Sequence, residues 1–381
     1  MRTGLSTCMI QRGKTGVAQY VFALLRALLP AAGQHEFHLF VLEEDLPLFA
    51  FAKDAMRLVR VPESERPAVR NVLWHQRALP ALARQLKLDV LHVPSYRRML
   101  WPKPCPLVAT IHDLAPFHVT GKYDWKRMLY GRVIVKRLAR RQDRIMAVSE
   151  NTARDLETFF GLGRHRVSVV WNGIDHQRFR PGDAIAAKAE AARRWQLDRP
   201  FFLYVSRLEH PAKNHVRLIE AFGQFKAATK SNWILALGGS DWHGAEAIHA
   251  AAKASPVSAD IRFLGFVDDA TLPLLYHATD VFVYPSLFEG FGFPPIEAMA
   301  SGCPVISSTR GSLREVVAGA ARTVEPEEVS SLTDALASLA SDAGERERLR
   351  QAGFVNARRF DWNRNATETL AVYEQAIRGA R

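Results

Sequence analysis

Residues 286–300 carry the densest group of side chains able to do chemistry. Glu289 and Glu297 stand eight residues apart around Gly290, Phe291, Gly292 and Phe293, just after the apolar run Val281-Phe282-Val283-Tyr284. A carboxylate in a loop at the end of a strand can accept hydrogen bonds from sugar hydroxyls. Glycines ahead of a helix open backbone N–H groups to an anion, and Pro294 and Pro295 suit a first helical turn. The same pattern also fits a tight turn followed by a solvated Glu297. Arg207 and Lys213 form a second group, after the apolar run Phe201-Phe202-Leu203-Tyr204-Val205. Two cations at the carboxyl end of a strand can neutralise a departing diphosphate, although loop cations are more often simply solvated. Gly13-Lys14-Thr15-Gly16 is too short for G-x-G-x-x-G and does not complete a P-loop, so its phosphate signal is weak. His112, in Thr110-Ile111-His112-Asp113-Leu114, stands at another strand end, where it can touch a substrate or serve the core.

These residues need strand ends to hold them. Short apolar runs alternate with helical patterns along the whole chain. Strands are expected at 4–10, 37–42, 89–93, 107–111 and 144–148, and again at 201–206, 233–238, 261–266, 280–285 and 304–307. Helices are expected at 16–30, 69–87, 214–229, 269–278, 294–301, 327–358 and 362–380, with a break possible at Pro80. Alternation of this kind implies parallel α/β sheets, and two sets imply two doubly wound domains. Gly, Pro and Asp cluster over 172–183, which puts a first domain at 1–175, a second at 176–360 and a terminal helix at 361–381 that can cross back to the first.

A chain of 381 residues, 48% apolar, can fill two cores. No uncharged apolar run reaches about 18 residues, so no helix is expected to cross a membrane. The N-terminus lacks the apolar stretch of a signal peptide, and Cys8, Cys105 and Cys303 stand far apart, as in a chain kept in a reducing compartment. The net charge of +12 is one-sided: residues 1–175 hold 27 Lys and Arg against 15 Asp and Glu, and the rest of the chain holds 24 of each. Such asymmetry suggests an anionic partner for the first half. Arg70, Arg77 and Arg84 recur every seven residues and share a helix face; a second basic run covers 125–141. No nucleic-acid-binding signature is present, so nucleic acid is not an expected partner.

Together the motifs resemble the retaining glycosyltransferases of family four. Glu289 to Glu297 matches that family's E-x7-E signature with its flanking Phe-Gly-Phe-Pro and Glu-Ala-Met-Ala-Ser-Gly. Phe263-Leu264-Gly265-Phe266, followed by a short helix, resembles its base-binding stretch. Gly16 and His112 match its first-loop glycine and its strand-end histidine. The resemblance, from about residue 10 to 378, implies the GT-B fold, two facing Rossmann-like domains with a cleft between them. It implies Arg207, Lys213 and amides near Gly16 and Gly292 at the donor diphosphate, Glu297 on the ribose, and Glu289 and His112 on the sugar. Phe266, Gly290, Phe291 and Phe293 complete the donor site. The acceptor hydroxyl would enter on the face the leaving group departs from. No cofactor and no metal are required, since Arg and Lys supply the positive charge. GDP-mannose is favoured by a small margin over UDP-glucose and other UDP-sugars. The acceptor is expected to be a lipid-linked glycan of envelope or extracellular polysaccharide assembly, with the enzyme cytoplasmic and held peripherally on an anionic membrane by its first domain. The competing readings are another GT-B enzyme, such as a nucleotide-sugar epimerase or a phosphorylase, and a non-catalytic basic module. A nicotinamide-dependent dehydrogenase would need a G-x-G-x-x-G, which is missing.

Overall fold

The computed structural model describes residues 1–13, 15–118 and 130–380. Two units divide it: Met1–Gly173 with Phe360–Arg381, and Ile174–Arg359. Each is built on one parallel sheet. Apolar runs such as Phe37-His38-Leu39-Phe40-Val41-Leu42 form strands covered on both faces, as parallel sheets require.

The first sheet has seven strands: β1 (Arg2–Ser6), β2 (Glu36–Leu42), β3 (Arg57–Val61), β4 (Val90–Val93), β5 (Leu107–Ile111), β6 (Arg144–Ala147) and β7 (Val167–Val169). Their order is β3-β2-β1-β4-β5-β6-β7, so the direction of winding reverses between β1 and β4. β1 starts and stops earlier than the pattern at 4–10 suggests, because the chain turns at Thr7, whose carbonyl accepts from the Ile10 N–H at 3.2 Å. The helix Gly16–Leu28 follows, started by the Thr15 hydroxyl, which accepts from the Ala18 N–H at 3.2 Å. The stretch Gly16–Gly33 is, by length and composition alone, long and apolar enough to cross a membrane. Its Val21, Leu24, Leu25 and Leu28 are fully buried in the core of the first unit. The helix Ala68–Gln85 runs through Pro80 without dividing.

The second sheet has six strands: β8 (Phe201–Val205), β9 (Ile234–Gly238), β10 (Ile261–Gly265), β11 (Val281–Tyr284), β12 (Val305–Ser308) and β13 (Arg322–Val324). Their order, β10-β9-β8-β11-β12-β13, reverses between β8 and β11. The helical pattern at 327–358 is two helices, Val329–Ser341 and Ala343–Ala357, divided at Asp342, whose carboxylate accepts from the Glu345 N–H at 2.8 Å and so starts the second.

The last helix, Trp362–Gly379, packs in the first unit. Its Ala366 joins the core beside Leu5, Val21 and Leu25, and its Val372, Tyr373 and Ala376 join Val90, Val108 and Met146. Each large apolar side chain fully buried in this way contributes roughly 1.5–3 kcal/mol. The Tyr373 hydroxyl meets His92 Nδ1 at 2.8 Å, and Asn365 donates to the Trp171 carbonyl at 2.7 Å.

Candidate functional site

Open parallel sheets bind ligands outside the carboxyl ends of strands, where the winding reverses. In the second unit that point lies between β8 and β11, and the loops leaving these two strands hold Arg207, Lys213, Glu289 and the residues 290–293. Neither cation stands alone. Lys213 Nζ is 2.5 Å from Glu289 Oε1, in a pair whose side chains are only 15% and 16% exposed. Arg207, 55% exposed, lies 3.3 Å from the nearly buried Glu209 and over the Trp242 ring at 4.9 Å. Lysine has three donors and arginine five, so both can keep these partners and still donate to an anion.

The Tyr284 hydroxyl also donates to Glu289 Oε1, at 3.0 Å. Burial would raise the Glu289 carboxyl, but Lys213 and the hydroxyls of Ser286 and Tyr284 together hold it below its ordinary range. Glu297, on the helix Phe293–Ala300, differs. It accepts from the Tyr276 hydroxyl at 3.3 Å, and no lysine or arginine forms an ion pair with it among the described residues. Burial pushes its carboxyl up to about 7, and the nearby Arg178 offsets this only in part. Arg178 is tied to the Asp269 carboxylate at 3.2 Å and to the Asp269 carbonyl. Phe266, just before that loop, is 77% exposed.

The glycine-rich turn is braced from a third loop. The Ser312 hydroxyl donates to the carbonyls of Glu289 at 3.0 Å and Phe291 at 2.6 Å. Gly292 has φ +99, and a Cβ there would meet Leu313 at 2.6 Å, so the turn requires glycine. Pro294 and Pro295 carry no N–H, so of the first three residues of the helix only Phe293 can offer an amide to an anion. Phe291 is buried, with its ring 5.1 Å from that of Phe293.

In the first unit, His112 follows β5. Its ring packs edge-on against Tyr20, with centroids 4.8 Å apart, and its buried Nε2 has no hydrogen-bond partner among the described residues. Burial lowers its pKa to about 4, so the imidazole is neutral at physiological pH. Tyr20 is held by Thr110 at 3.1 Å, and Thr110 by His92 at 2.8 Å. Gly16 opens its helix, and an added Cβ would meet no atom of the described residues within 4 Å. Lys14 and the 125–129 part of the second basic run lie outside the described residues. Among the described residues no group of three or more His, Cys, Asp and Glu could hold a metal ion.

The motif residues were legible because they are close in sequence. Their partners were not. Tyr284 stands only as the end of an apolar run, Tyr276 lies within the helix expected at 269–278, and Arg178 and Ser312 belong to no motif. The aromatic hydroxyls were the available signal, since a tyrosine buried in a parallel sheet needs a partner for its OH.

Two family models match the chain: Glycosyltransferase Family 4 over residues 14–178, and Glycosyl transferases group 1 over residues 187–355. The O-antigen chain mannosyltransferase B of Escherichia coli is 26% identical, over 98% of this chain and 100% of its own length. The D-inositol 3-phosphate glycosyltransferase of Nocardia farcinica is 31% identical over 71% of this chain, and the match spans 62% of that relative. Among solved structures, HepE of Anabaena in complex with UDP-glucose superposes with a TM-score of 0.75 at 20% identity, covering 97% of this chain and 99% of that one.

Proposed function

Because the chain belongs to the GT-B glycosyltransferases, with a Family 4 first half and a group 1 second half, we propose that it moves a sugar with retention from a nucleoside-diphosphate donor to a hydroxyl of a lipid-linked glycan. The observation that carries this reading is the meeting of Lys213, Arg207 and Glu289 where the winding of the second sheet reverses. Arg207 and Lys213 take up the charge that grows on the diphosphate as it leaves. Glu297 accepts from the ribose hydroxyls, with Phe266 beside the base and the amides of residues 290–293 toward the phosphates. Glu289 and the neutral His112 orient the sugar, and Gly16 lets the phosphates approach the start of its helix. The acceptor's proton passes to the departing phosphate, so no separate base is needed. A thermal-shift screen with UDP, GDP, ADP and their common sugars tests this: one nucleotide is expected to raise the melting temperature, and no response to any of them would count against the reading.

GDP-mannose is favoured as donor because a relative matched over its whole length is named a mannosyltransferase. UDP-glucose stays close, since it is the ligand named for the Anabaena protein. The same E. coli relative, named for the O-antigen chain, supports a polysaccharide acceptor.

The state of Glu297 makes donor binding depend on pH. Its carboxyl takes up a proton as pH falls through about 7, and a protonated acid is a poorer acceptor for two hydroxyls. Affinity for the nucleoside diphosphate is therefore expected to fall between pH 8 and pH 6, at most about tenfold per unit. In Glu297→Gln that part of the pH dependence disappears. Calorimetric titrations of both proteins across this window provide the check, and parallel curves would remove Glu297 from the ribose.

Attachment to the inner face of the cytoplasmic membrane draws support from the helix Ala68–Gln85. Val69 and Leu73 are 74% and 45% exposed on it, with exposed Arg70, Arg77 and Arg84 alongside. Among the described residues none of these three arginines pairs with a carboxylate; Arg70 donates only to the Ser64 carbonyl, at 3.4 Å. Each adds about 1 kcal/mol near an anionic surface, less at high salt. Sedimentation with anionic vesicles at low salt and release at high salt are expected. A chain that stays in the supernatant at low salt has no such attachment.

A further inference from the structure

Lys213, Glu289 and Glu297 of the proposed donor site each have a buried tyrosine behind them. β8 and β11 are neighbours, with Phe202 beside Val281 and Leu203 beside Phe282, and each ends in tyrosine within its last two residues: Tyr204 and Tyr284. Tyr204 is fully buried and Tyr284 is 3% exposed. Their rings meet edge-on, 5.5 Å apart at 89°. A strand buried on both faces is ordinarily filled by Val, Ile or Leu, and a phenol there costs desolvation unless its hydroxyl is bonded. Both hydroxyls are directed at the ion pair. Tyr204 donates to the Lys213 carbonyl at 2.7 Å, and Tyr284 donates to Glu289 Oε1 at 3.0 Å, the oxygen that Lys213 Nζ approaches to 2.5 Å.

We propose that Tyr284 is a positioning residue for sugar transfer: its hydroxyl fixes the Glu289 carboxylate in the orientation that receives the donor sugar, while Tyr204 fixes the backbone that carries Lys213. This rests on the reading of Glu289 as the group that orients the sugar. A carboxylate held by one cation and by the rotatable Ser286 hydroxyl can still swing about the cation. A second donor on the same oxygen, held by a ring that cannot move, removes the freedom. Burial raises the phenol of Tyr284 well above its usual range, so the hydroxyl keeps its proton and remains a donor at all working pH values. Among the described residues the charged and titratable groups facing Glu289 are Lys213 from the loop after β8, Tyr204 from β8 and Tyr284 from β11, and the Ser286 hydroxyl, from the loop after β11, also favours the ionised carboxylate. The loop at 310–312 adds Ser312, on the Glu289 backbone carbonyl, and Arg310, which is committed to Glu325 at 3.2 Å and Glu327 at 2.6 Å. Glu297 supplies the internal contrast. It too accepts from a tyrosine, Tyr276, but has no lysine, and its carboxyl is not held ionised.

The experiment measures two affinities by calorimetry, from pH 8 down to pH 4: UDP-glucose against UDP, and GDP-mannose against GDP. The ratio within the pair that binds isolates what the sugar adds. In Tyr284→Phe the nucleotide sugar is expected to bind about tenfold more weakly, as losing a hydrogen bond to a charged group implies. The bare nucleotide binds as before. The sugar's contribution is also lost at a higher pH than in the wild type, because the tyrosine hydroxyl no longer favours the ionised carboxylate. A merely structural tyrosine would weaken both ligands together or lower only the melting temperature, and either result overturns the proposal. Tyr284→Leu, which fills the space without a hydroxyl, carries the same expectation should the phenylalanine variant fold poorly. Glu289→Gln separates the two levels. If it loses the sugar's contribution and Tyr284→Phe does not, Tyr284 has no positioning role. If Glu289→Gln keeps that contribution, or neither nucleotide sugar binds the wild-type chain, the reading of Glu289 fails and the role of Tyr284 with it.

Discussion

Lys213→Ala is expected to lower turnover about 10²–10³-fold, the cost of losing one group that stabilises charge growing in the transition state. Two effects combine. The diphosphate loses a cation, and Glu289 loses its only ion-pair partner among the described residues while remaining mostly buried. Removing one member of a buried pair strands the other charge, which is costly. Lys213→Ala is therefore also expected to melt at a lower temperature, and its Glu289 carboxyl to titrate at a higher pH. Arg207→Ala carries the first effect without the second, because Arg207 is half exposed and stacks on Trp242. Turnover with the donor found by the thermal-shift screen, set beside melting temperatures, separates these contributions. Full activity in both variants would leave the diphosphate without its proposed counter-charge.

Gly239→Ala is expected to damage both stability and activity. Gly239 follows β9 with φ +147, and a Cβ built there lies 1.9 Å from the carbonyl oxygen of Ser206, the residue before Arg207. The neighbouring backbone cannot yield easily. Ser206 donates to the Gly238 carbonyl at 2.9 Å, Leu208 to the Ser240 carbonyl at 3.0 Å, and Gly239 to the Gly265 carbonyl at 2.7 Å. A forbidden backbone angle and a backbone clash together should cost about 3 kcal/mol or more, and in a unit of this size each kcal/mol lowers the melting temperature by roughly 2–4 °C. Gly16→Ala is the matched control. Its added methyl meets no atom of the described residues within 4 Å, so melting should be unchanged while donor binding weakens. Thermal melts of the two variants decide the matter, and equal stability of Gly239→Ala and the wild type would contradict the loop geometry.

Much of this molecule was readable from the chain alone, for identifiable reasons. The central strands are continuous apolar runs bounded by turn residues, so β2, β5, β8, β9 and β11 were found close to their true limits. The strands that escaped notice are edges. β3, Arg57-Leu58-Val59-Arg60-Val61, has only its last residue buried, and β7 and β13 are three residues each. Half-covered or very short strands leave no continuous apolar run to read. The helix Glu150–Phe160 is signalled by Ser149, whose hydroxyl accepts from the Thr152 N–H at 3.0 Å, but its buried stripe includes the polar Thr152 and Asp155 beside Ala153, Leu156 and Phe160 and so is not a plain apolar pattern. The site divided in the same way. Its motif lies within one turn and helix, where spacing is meaningful. The pairing of Lys213 with Glu289 joins residues 76 apart, and Arg178 meets Asp269 across 91. Contacts at such separations are set by strand order, and the neighbouring of β8 with β11 follows from the winding of the whole unit.

The central claim is that the loops after β8 and β11 hold the diphosphate of a nucleotide sugar. Calorimetric titration of UDP, GDP and ADP into the wild-type chain and into Arg207→Ala tests it most directly, because it requires neither the acceptor nor the sugar to be known. Binding of one nucleotide at a single site, weakened about tenfold or more by the substitution, is the predicted result. Binding of none of the three, or equal binding by both proteins, would contradict it.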